Sequence, residues 1–266
     1  MVSPIKKWWL MLGLAWPLSA FGAVVDIDCA TLDQPLQTLI DAVPEDSTIN
    51  LSGACQEPIL ITKDRIELSG GKAGASFTFP PDTVNGLSIT GRQIALKKLN
   101  VSGAKKSVVV YRTGSARIVE TQISQSGSIG LEVTDSSYVR ILNSTISNSG
   151  RNGIVVRLSS SADIHNNVIS HHQSHGIVLD SSAADIDGNA LSDNRNYGLL
   201  VHSNSKARLG GDNSAGETNR FSNNGDGGVR CDSNSTLQVR VEQQFDDPAK
   251  TYRMAESCVL STETTD

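Results

Sequence analysis

The sequence predicts an all-β fold, a right-handed single-stranded parallel β-helix, from three observations. A segment recurs along the chain, with copies that begin at Ile146, Ile169 and Leu191. Each copy opens with an apolar residue and Ser and has a Gly seven residues after its start, followed by alternating apolar residues. Aromatic residues make up only 5% of the chain. A narrow core of stacked aliphatic side chains, one layer per repeat, explains all three.

Each repeat contains three short apolar runs, which we interpret as three strands that pair with the equivalent strands of neighbouring repeats, about 4.8 Å away. The glycines are expected to have positive φ where the chain turns into a strand. Stacked Ser and Asn side chains, such as those of Asn143 and Asn166 at one bend, are expected to bond between coils. One inward column is predicted to consist of Leu131, Ile154, Ile177 and Leu199, and the glycine column of Gly130, Gly153, Gly176, Gly198 and Gly228.

Both ends of a solenoid need a cap, because an end coil exposes apolar side chains and open strand edges. The apolar residues between Thr31 and Val43 have helical spacing, and Asp33 is a candidate N-cap. From Gln243 onward the repeat pattern stops. The predicted organisation is a signal peptide at 1–23, an N-terminal cap with a short helix at 24–48, a β-helix at 49–242 and a C-terminal cap or tail at 243–266.

The chain has four cysteines, which allow three pairings. They lie as one close pair near each end, which favours Cys29–Cys55 and Cys231–Cys258. By closing a loop, each bond would stabilise the folded chain by about 3 kcal/mol in the loop-entropy model. No CxxC spacing indicates a metal site instead.

The first residues predict export. Lys6 and Lys7 precede a short apolar run, 8–21, and small residues follow it, as in a secretory signal peptide. The run is too short for a membrane-spanning anchor. We therefore expect a periplasmic or secreted protein. The net charge of -5 and the pI of about 5.5 argue against nucleic acid as a partner.

The HGIVL segment at His175 and the I-x-N-x-x-I bends at Ile141 and Ile164 resemble the repeats of right-handed parallel β-helix proteins of the pectate-lyase-like type. This superfamily includes pectate lyases, alginate lyases, mannuronan C5-epimerases, a periplasmic copper-site maturation factor and exported bacterial proteins of unassigned activity. The resemblance covers about 29–239 and implies a substrate groove on one sheet. The DPHD motif of the epimerases is not matched, because Asp247-Pro248 is not followed by His-Asp. We predict no cofactor.

Stacking brings polar residues of successive repeats together on the outer face of the strands that follow the glycines. The chemistry of polyuronide lyases and epimerases needs a cation for the carboxylate, a base for the C5 proton and an acid for the leaving oxygen. Histidine and tyrosine suit proton transfer, and arginine suits a carboxylate. The candidates are His175 and His202 as bases, Tyr197 as acid, and Arg157, Asp180 and Asn152 as substrate-binding residues.

Other polar groups have simpler interpretations. His165, His171 and His172 share one repeat with His175, but solvated turn residues are favoured over a metal site, and we predict no metal. A charged column on a second face is interpreted as a ladder of weak ion pairs. That column consists of Arg117, Arg140, Asp163, Asp185 and Arg208.

Two functional hypotheses stay open. In the first, this exported β-helix binds an acidic polysaccharide through the polar face, with cleavage or epimerisation as the candidate reaction. In the second, it is a non-catalytic binding or assembly module, whose protein partner docks on an outward apolar stripe of Val155, Val178 and Leu200. Alternatively, the C-terminal segment of the chain itself could cover this stripe.

Overall fold

In the computed structural model, the described residues 22–71, 74–210 and 217–262 form one parallel solenoid of about ten turns. Each coil contributes one strand to each of three sheets, A, B and C. Within a sheet, each strand pairs in parallel with the equivalent strands of the preceding and following coils. Sheets A and B share their first long strand. The predicted signal peptide falls on residues outside the described ranges, apart from Gly22 and Ala23.

The strands of the three sheets alternate along the chain. Sheet A consists of Val24–Asp28, the first half of Thr48–Cys55, Glu67–Ser69, Ile94–Lys97, Ser115–Val119, Tyr138–Leu142, Ser161–His165, Ala183–Asp187, Lys206–Leu209, Thr236–Val239 and Val259–Thr262. Sheet B consists of the second half of Thr48–Cys55, Ala75–Phe79, Leu99–Gly103, Gln122–Ser124, Thr145–Ser147, Val168–Ser170, Ala190–Ser192, Arg220–Ser222 and Gln244–Phe245. Sheet C consists of Ile59–Ile61, Asn85–Ile89, Lys106–Val110, Ile129–Val133, Asn152–Arg157, Ile177–Asp180, Tyr197–His202, Gly227–Cys231 and Tyr252–Met254.

The predicted inward column is confirmed. Leu131, Ile154, Ile177 and Leu199 are consecutive register partners in sheet C, and each is fully buried. Sheet B contributes a column around Ile169, which is also fully buried, whereas the preceding Val168 is 46% exposed. This alternation follows from the two-residue period of a strand.

The five glycines of the glycine column, at or near the start of sheet C strands, were expected to have positive φ, and this expectation is wrong for all five. Their role is close approach. A Cβ on Gly153 would lie 2.5 Å from Nε2 of His172 and 2.6 Å from the carbonyl oxygen of Gly176. The left-handed region is used instead at bends, for example by Asn143 and Asn166 with φ of 49° and 56°.

A ladder of buried amide side chains runs along one bend, one residue after the position predicted from Asn143 and Asn166. The backbone N–H of Asn167 donates to Oδ1 of Asn189 at 2.9 Å, and the N–H of Asn189 donates to Oδ1 of Asn219 at 3.0 Å. Nδ2 of Asn189 also donates to the carbonyl of Ile164 at 2.7 Å. Each amide thus satisfies a backbone group that the sheets leave unpaired.

His172 takes the place of an asparagine in a second ladder. Its Nδ1 accepts from the N–H of Ser149 at 3.1 Å, and its Nε2 lies 3.1 Å from the carbonyl of Ile146. One coil later, Asn194 makes the same two contacts with its Oδ1 and Nδ2. The pattern requires a neutral imidazole with its proton on Nε2. Burial lowers the pKa of His172 to about 4.

This burial makes stability depend on pH. The pKa of an unfolded histidine is about 6.5, so between about pH 6.5 and pH 4 the unfolded chain binds more protons than the folded one. The free energy of unfolding should therefore fall by about 3 kcal/mol as the pH drops through this window, on account of His172 alone. The measurement is urea unfolding of the mature chain at pH 7 and at pH 4.

The His172→Asn variant is the matched control, because asparagine makes the same hydrogen bonds at this position in the next coil. It should fold as the parent does at pH 7 and lose the His172 contribution to the pH dependence. An equal loss of stability on acidification in the parent and in His172→Asn would contradict the buried neutral histidine.

The N-terminal end has a helix, Leu36–Ala42, as predicted, but Asp33 is not its N-cap. Pro35 occupies that position and makes no side-chain cap. Oε1 of Glu57 accepts from the N–H of Leu36 at 2.7 Å instead, so the cap comes from a residue 21 positions later in the chain. The helix buries Leu36 and Ile40 against the first coil.

Both predicted disulfides are confirmed. The Cα atoms of Cys29 and Cys55 are 5.1 Å apart, and those of Cys231 and Cys258 are 5.8 Å apart. Each bond ties a terminal segment to the solenoid near one end, where the coil has a neighbour on one side only.

The segment after Gln243, expected to break the repeat, forms one more coil. Its three short strands pair with sheets B, C and A in turn, through Phe245 with Phe221, Arg253 with Arg230 and Leu260 with Leu237. As far as the structure describes it, to residue 262, the segment therefore extends sheet C and does not cross its outer face. Among the described residues, no helix has the length and apolar character needed to cross a membrane.

Candidate functional site

The outer face of sheet C carries three columns of side chains, and the six predicted site residues all lie on it. One column contains Asn152, His175 and Tyr197, the second contains the apolar stripe, and the third contains Arg157, Asp180 and His202. Arg157 pairs in register with Asp180, and Asp180 with His202.

The first column is held together by its own hydrogen bonds. The N–H of His175 donates to Oδ1 of Asn152 at 3.1 Å, and the N–H of Tyr197 donates to Nδ1 of His175 at 3.2 Å. The rings of His175 and Tyr197 are parallel within 4°, with centroids 5.9 Å apart. His175 therefore does not point freely into solvent: it is half-buried, with its Nδ1 occupied.

Burial lowers the pKa of His175, and the positive charge of Arg230 and the neighbouring His202 act in the same direction. The imidazole is therefore neutral at neutral pH. Since Nδ1 accepts a hydrogen bond, the remaining proton is on Nε2, which presents a donor to the outer face. His202 has its Nδ1 3.0 Å from Oγ of Ser203.

Tyr197 is only 4% exposed, and its hydroxyl has a partner. Nη1 of Arg253 donates to Oη of Tyr197 at 3.0 Å. The guanidinium of Arg230 lies over the same ring, with its Cζ 5.9 Å from the centroid. The tyrosine thus connects two arginines to the stacked column: Arg230 contacts the face of its ring, and Arg253 contacts its hydroxyl.

Arg157 is paired with a residue that the prediction left out. Its Nη2 lies 2.6 Å from Oε1 of Glu132, and Nζ of Lys106 lies 2.5 Å from Oε2 of the same carboxylate. Glu132 is 1% exposed although its strand position faces outward. Removing one partner of a buried charge is costly, so Arg157 compensates Glu132 rather than remaining free for a ligand.

The apolar stripe is largely buried by its neighbours on the sheet, whereas the sequence suggested that a protein partner or the C-terminal segment covers it. Val155 and Val178 are 6% and 7% exposed, and Leu200 is half-buried. The two flanking columns stand on either side of these short side chains in the same strands. The stripe therefore lacks the exposed apolar area that a protein partner would need.

Arg230 and Arg253 are the residues that sequence reasoning missed as a pair. They are register partners in neighbouring coils, and both stand on the outer face of sheet C. The signal was present, since Thr251–Met254 repeats the pattern of Gly228–Cys231 after 23 residues, with arginine third in both. Assigning 243–266 to a cap concealed it.

A cavity of about 350 Å³ adjoins Arg253. It exists because Gly227 stands in the column after Tyr197 and contributes no side chain. Its walls include Tyr197, Tyr252, Arg253, Lys250 and Asp226. Arg230 is 43% exposed and pairs with Asp232 at 2.8 Å. We name Tyr197, Arg230, Arg253 and the space beside Gly227 the arginine site.

Other candidate groups do not converge. His165 bonds to Asp187, which raises its pKa, and His171 lies 4.0 Å from Asp193 on the surface. Within the ranges that the structure describes, no three His, Cys, Asp or Glu side chains are placed to hold a metal ion.

Solved structures share the fold at low sequence identity. The pectate lyase Pel9A aligns with a TM-score of 0.62 and 14% identity over 92% of this chain and 79% of its own. An alginate lyase from Paenibacillus sp. str. FPU-7 aligns with a TM-score of 0.53 and 12% identity, over 89% and 99%. Full-length tailspike protein 2 of an Escherichia coli O157:H7 bacteriophage aligns with a TM-score of 0.62 and 11% identity, over 90% and 42%.

No curated protein sequence matches the chain. The family model described as the right handed beta helix region does match it, over residues 85–244. That range is well over half of the chain and includes the repeats from which the fold was predicted. The chain belongs to the right-handed β-helix family.

Proposed function

We propose that this protein is an exported, non-cleaving binder of an acidic polysaccharide, which it holds along the outer face of sheet C with the arginine site as its anchor. The observation that carries the proposal is the pairing of Arg230 with Arg253 in adjacent coils. Like charges directly opposite each other on a sheet destabilise it. Asp232 offsets the charge of Arg230, and a bound carboxylate would offset that of Arg253.

The surroundings of the two arginines fit a sugar acid. The cavity beside Gly227 places open space next to the exposed guanidinium of Arg253, and the hydroxyl of Tyr197 fixes its orientation. The neutral His175 offers an Nε2–H donor to hydroxyl or carboxylate oxygens one coil away. The spacing between coils on this face is close to the length of one sugar unit, so the face suits an extended polysaccharide chain that runs along the solenoid axis.

Binding is favoured over cleavage because two of the three proton-transfer candidates, and the predicted carboxylate-binding arginine, are engaged. Nδ1 of His175 accepts a backbone N–H, Oη of Tyr197 accepts from Arg253, and Arg157 compensates Glu132. Two of the structural neighbours are named as a pectate lyase and an alginate lyase. Their names agree with an acidic polysaccharide as the ligand of this chain. The two disulfides agree with an oxidising compartment, the periplasm or the exterior.

The test is calorimetric titration of the mature protein with oligogalacturonate and with oligoalginate. Arg253→Ala and Arg230→Ala should each weaken binding about tenfold or more, as expected for losing a charge-assisted hydrogen bond. Affinity should also fall with added salt. Arg157→Ala is unsuitable as a probe, because it would leave Glu132 undercompensated and lower stability as well.

Arg220→Ala is the matched control. Arg220 is an outward arginine of sheet B, paired with Asp246 and 61% exposed, and it should not affect binding. Equal loss in Arg220→Ala and Arg253→Ala would mean that only overall charge matters. Formation of unsaturated product, followed by ultraviolet absorbance, would show a lyase and contradict the non-cleaving role.

A further inference from the structure

Sheet A carries a second, separate cavity of about 350 Å³ on its outer face. It arises because two small residues, Ser161 and Ala183, follow each other in an outward column, between Tyr138 in the coil before and Lys206 in the coil after. We name the gap between these two long side chains the sheet A notch. Two coils of small residues leave a gap roughly 10 Å long at the coil spacing.

The side of the notch is formed by the charged column that the sequence pattern suggested was a ladder of weak ion pairs. Asp163 and Asp185 are register partners there, and Asp185 is paired with Arg208. The hydroxyl of Tyr138 donates to Oδ2 of Asp163 at 2.6 Å. These contacts fix the two carboxylates in place.

The charges of the notch balance. The two carboxylates of Asp163 and Asp185 and the cations of Lys206 and Arg208 line the same cavity. Lys206 makes no ion pair with any residue that the structure describes. A site with no net charge gives a polyanion no advantage over a neutral ligand, whereas fixed acceptors and donors suit a ligand that has hydroxyl groups.

The aromatic ring beside the notch completes the chemistry. Tyr138 is 38% exposed, and its hydroxyl bond to Asp163 holds the ring next to the gap left by Ser161. A partly exposed, oriented tyrosine offers an apolar surface to the C–H face of a pyranose ring. The cavity volume lies near the lower end of the range for ligand sites, about 300–1,000 Å³.

We propose that the sheet A notch is a binding site for one or two units of a neutral saccharide, independent of the arginine site. Tyr138 packs on a sugar ring, the carboxylates of Asp163 and Asp185 accept from its hydroxyl groups, and Lys206 donates to its oxygens. The protein would then hold a neutral glycan on one face and an acidic one on another.

The test is titration calorimetry of the mature protein with cellohexaose, maltohexaose, mannohexaose and chitohexaose, with oligogalacturonate as the acidic comparison. At least one neutral hexasaccharide should bind. Ala183→Gln, which fills the notch, and Tyr138→Ala should each weaken that binding tenfold or more. Thr236→Gln makes the same kind of change in the same column beyond Lys206 and should leave affinity unchanged.

Arg253→Ala separates this site from the proposed function, since it should weaken oligogalacturonate binding and leave the neutral hexasaccharide unaffected. Circular dichroism and the unfolding midpoint of each variant verify that it is folded. The proposal is overturned if none of the four neutral hexasaccharides binds up to its solubility limit. It is also overturned if binding persists in both Ala183→Gln and Tyr138→Ala, or if the notch variants affect only the acidic ligand.

Discussion

Ile169→Asp is expected to abolish stable folding, whereas Val168→Asp, one residue earlier in the same strand, is expected to be tolerated. Ile169 is fully buried in the sheet B column between Ile146 and Leu191. A carboxylate there has no cation, and the lost packing alone is worth about 2–5 kcal/mol. Burying the unpaired polar group adds several kcal/mol more. Denaturant unfolding of both variants measures the difference.

Val168 is 46% exposed, so its substitution by Asp should change the free energy of unfolding by less than about 1 kcal/mol. The comparison isolates the direction in which each side chain points, because the two variants add the same charge to adjacent residues. Equal destabilisation, or a stable Ile169→Asp protein, would mean that the inward and outward assignments of this strand are wrong.

Asn189→Ala is expected to cost about 3 kcal/mol, although it removes only a small polar side chain. Oδ1 of Asn189 accepts from the backbone N–H of Asn167, and its Nδ2 donates to the carbonyl of Ile164. Both backbone groups are buried, and alanine leaves them without these partners. Thermal and urea unfolding should register the loss as a large fall in stability without a change of fold.

Asn189→Ser is the graded control. Serine occupies the equivalent ladder position at Ser144, where Oγ accepts from the N–H of Thr121 at 3.1 Å. The serine variant should therefore recover part of the stability that alanine loses. Alanine and serine variants of equal stability would show that the amide ladder contributes nothing.

Most of the fold follows from the repeat period, for a physical reason. In a solenoid, each strand residue pairs with the residue one period later in the chain, so the length of the period itself gives the register. Once Ile146, Ile169 and Leu191 are aligned, the inward columns follow. The pairing of strands that are distant in sequence is usually hard to predict, but in a solenoid it follows from the number of residues in one repeat.

The misjudged features depend on contacts that the period does not encode. The conformation of Gly153 could not be inferred, because its constraint is the closeness of His172 rather than a turn. Glu57 caps the helix at Leu36 from another coil, and no local signal marks it. The last coil was missed because its strand at Gln244–Phe245 is only two residues long and a 3-10 turn at Pro248–Lys250 interrupts the pattern.

For the site, the sequence predicted which side chains share a column on the outer face, but not which contacts those side chains make. The position before the repeat glycine placed His175 and Tyr197 on one outer face, and strand alternation placed Arg157 there, where the structure has them. Which neighbour each side chain engages depends on rotamers and on charge balance. The sequence pattern therefore did not reveal that Arg157 pairs with Glu132, or that the hydroxyl of Tyr197 is held by Arg253.

The most direct measurement of the central claim is amide chemical-shift mapping of the isotope-labelled mature protein during titration with oligogalacturonate. If the arginine site binds acidic polysaccharide, the largest shifts should fall on sheet C around Tyr197, Gly227, Arg230 and Arg253. In Arg253→Ala the same shifts should need at least about tenfold more oligogalacturonate. Sheet B and the N-terminal helix should be unaffected. Shifts centred on another face, or none at saturating oligogalacturonate and oligoalginate, would contradict the claim that sheet C holds an acidic polysaccharide.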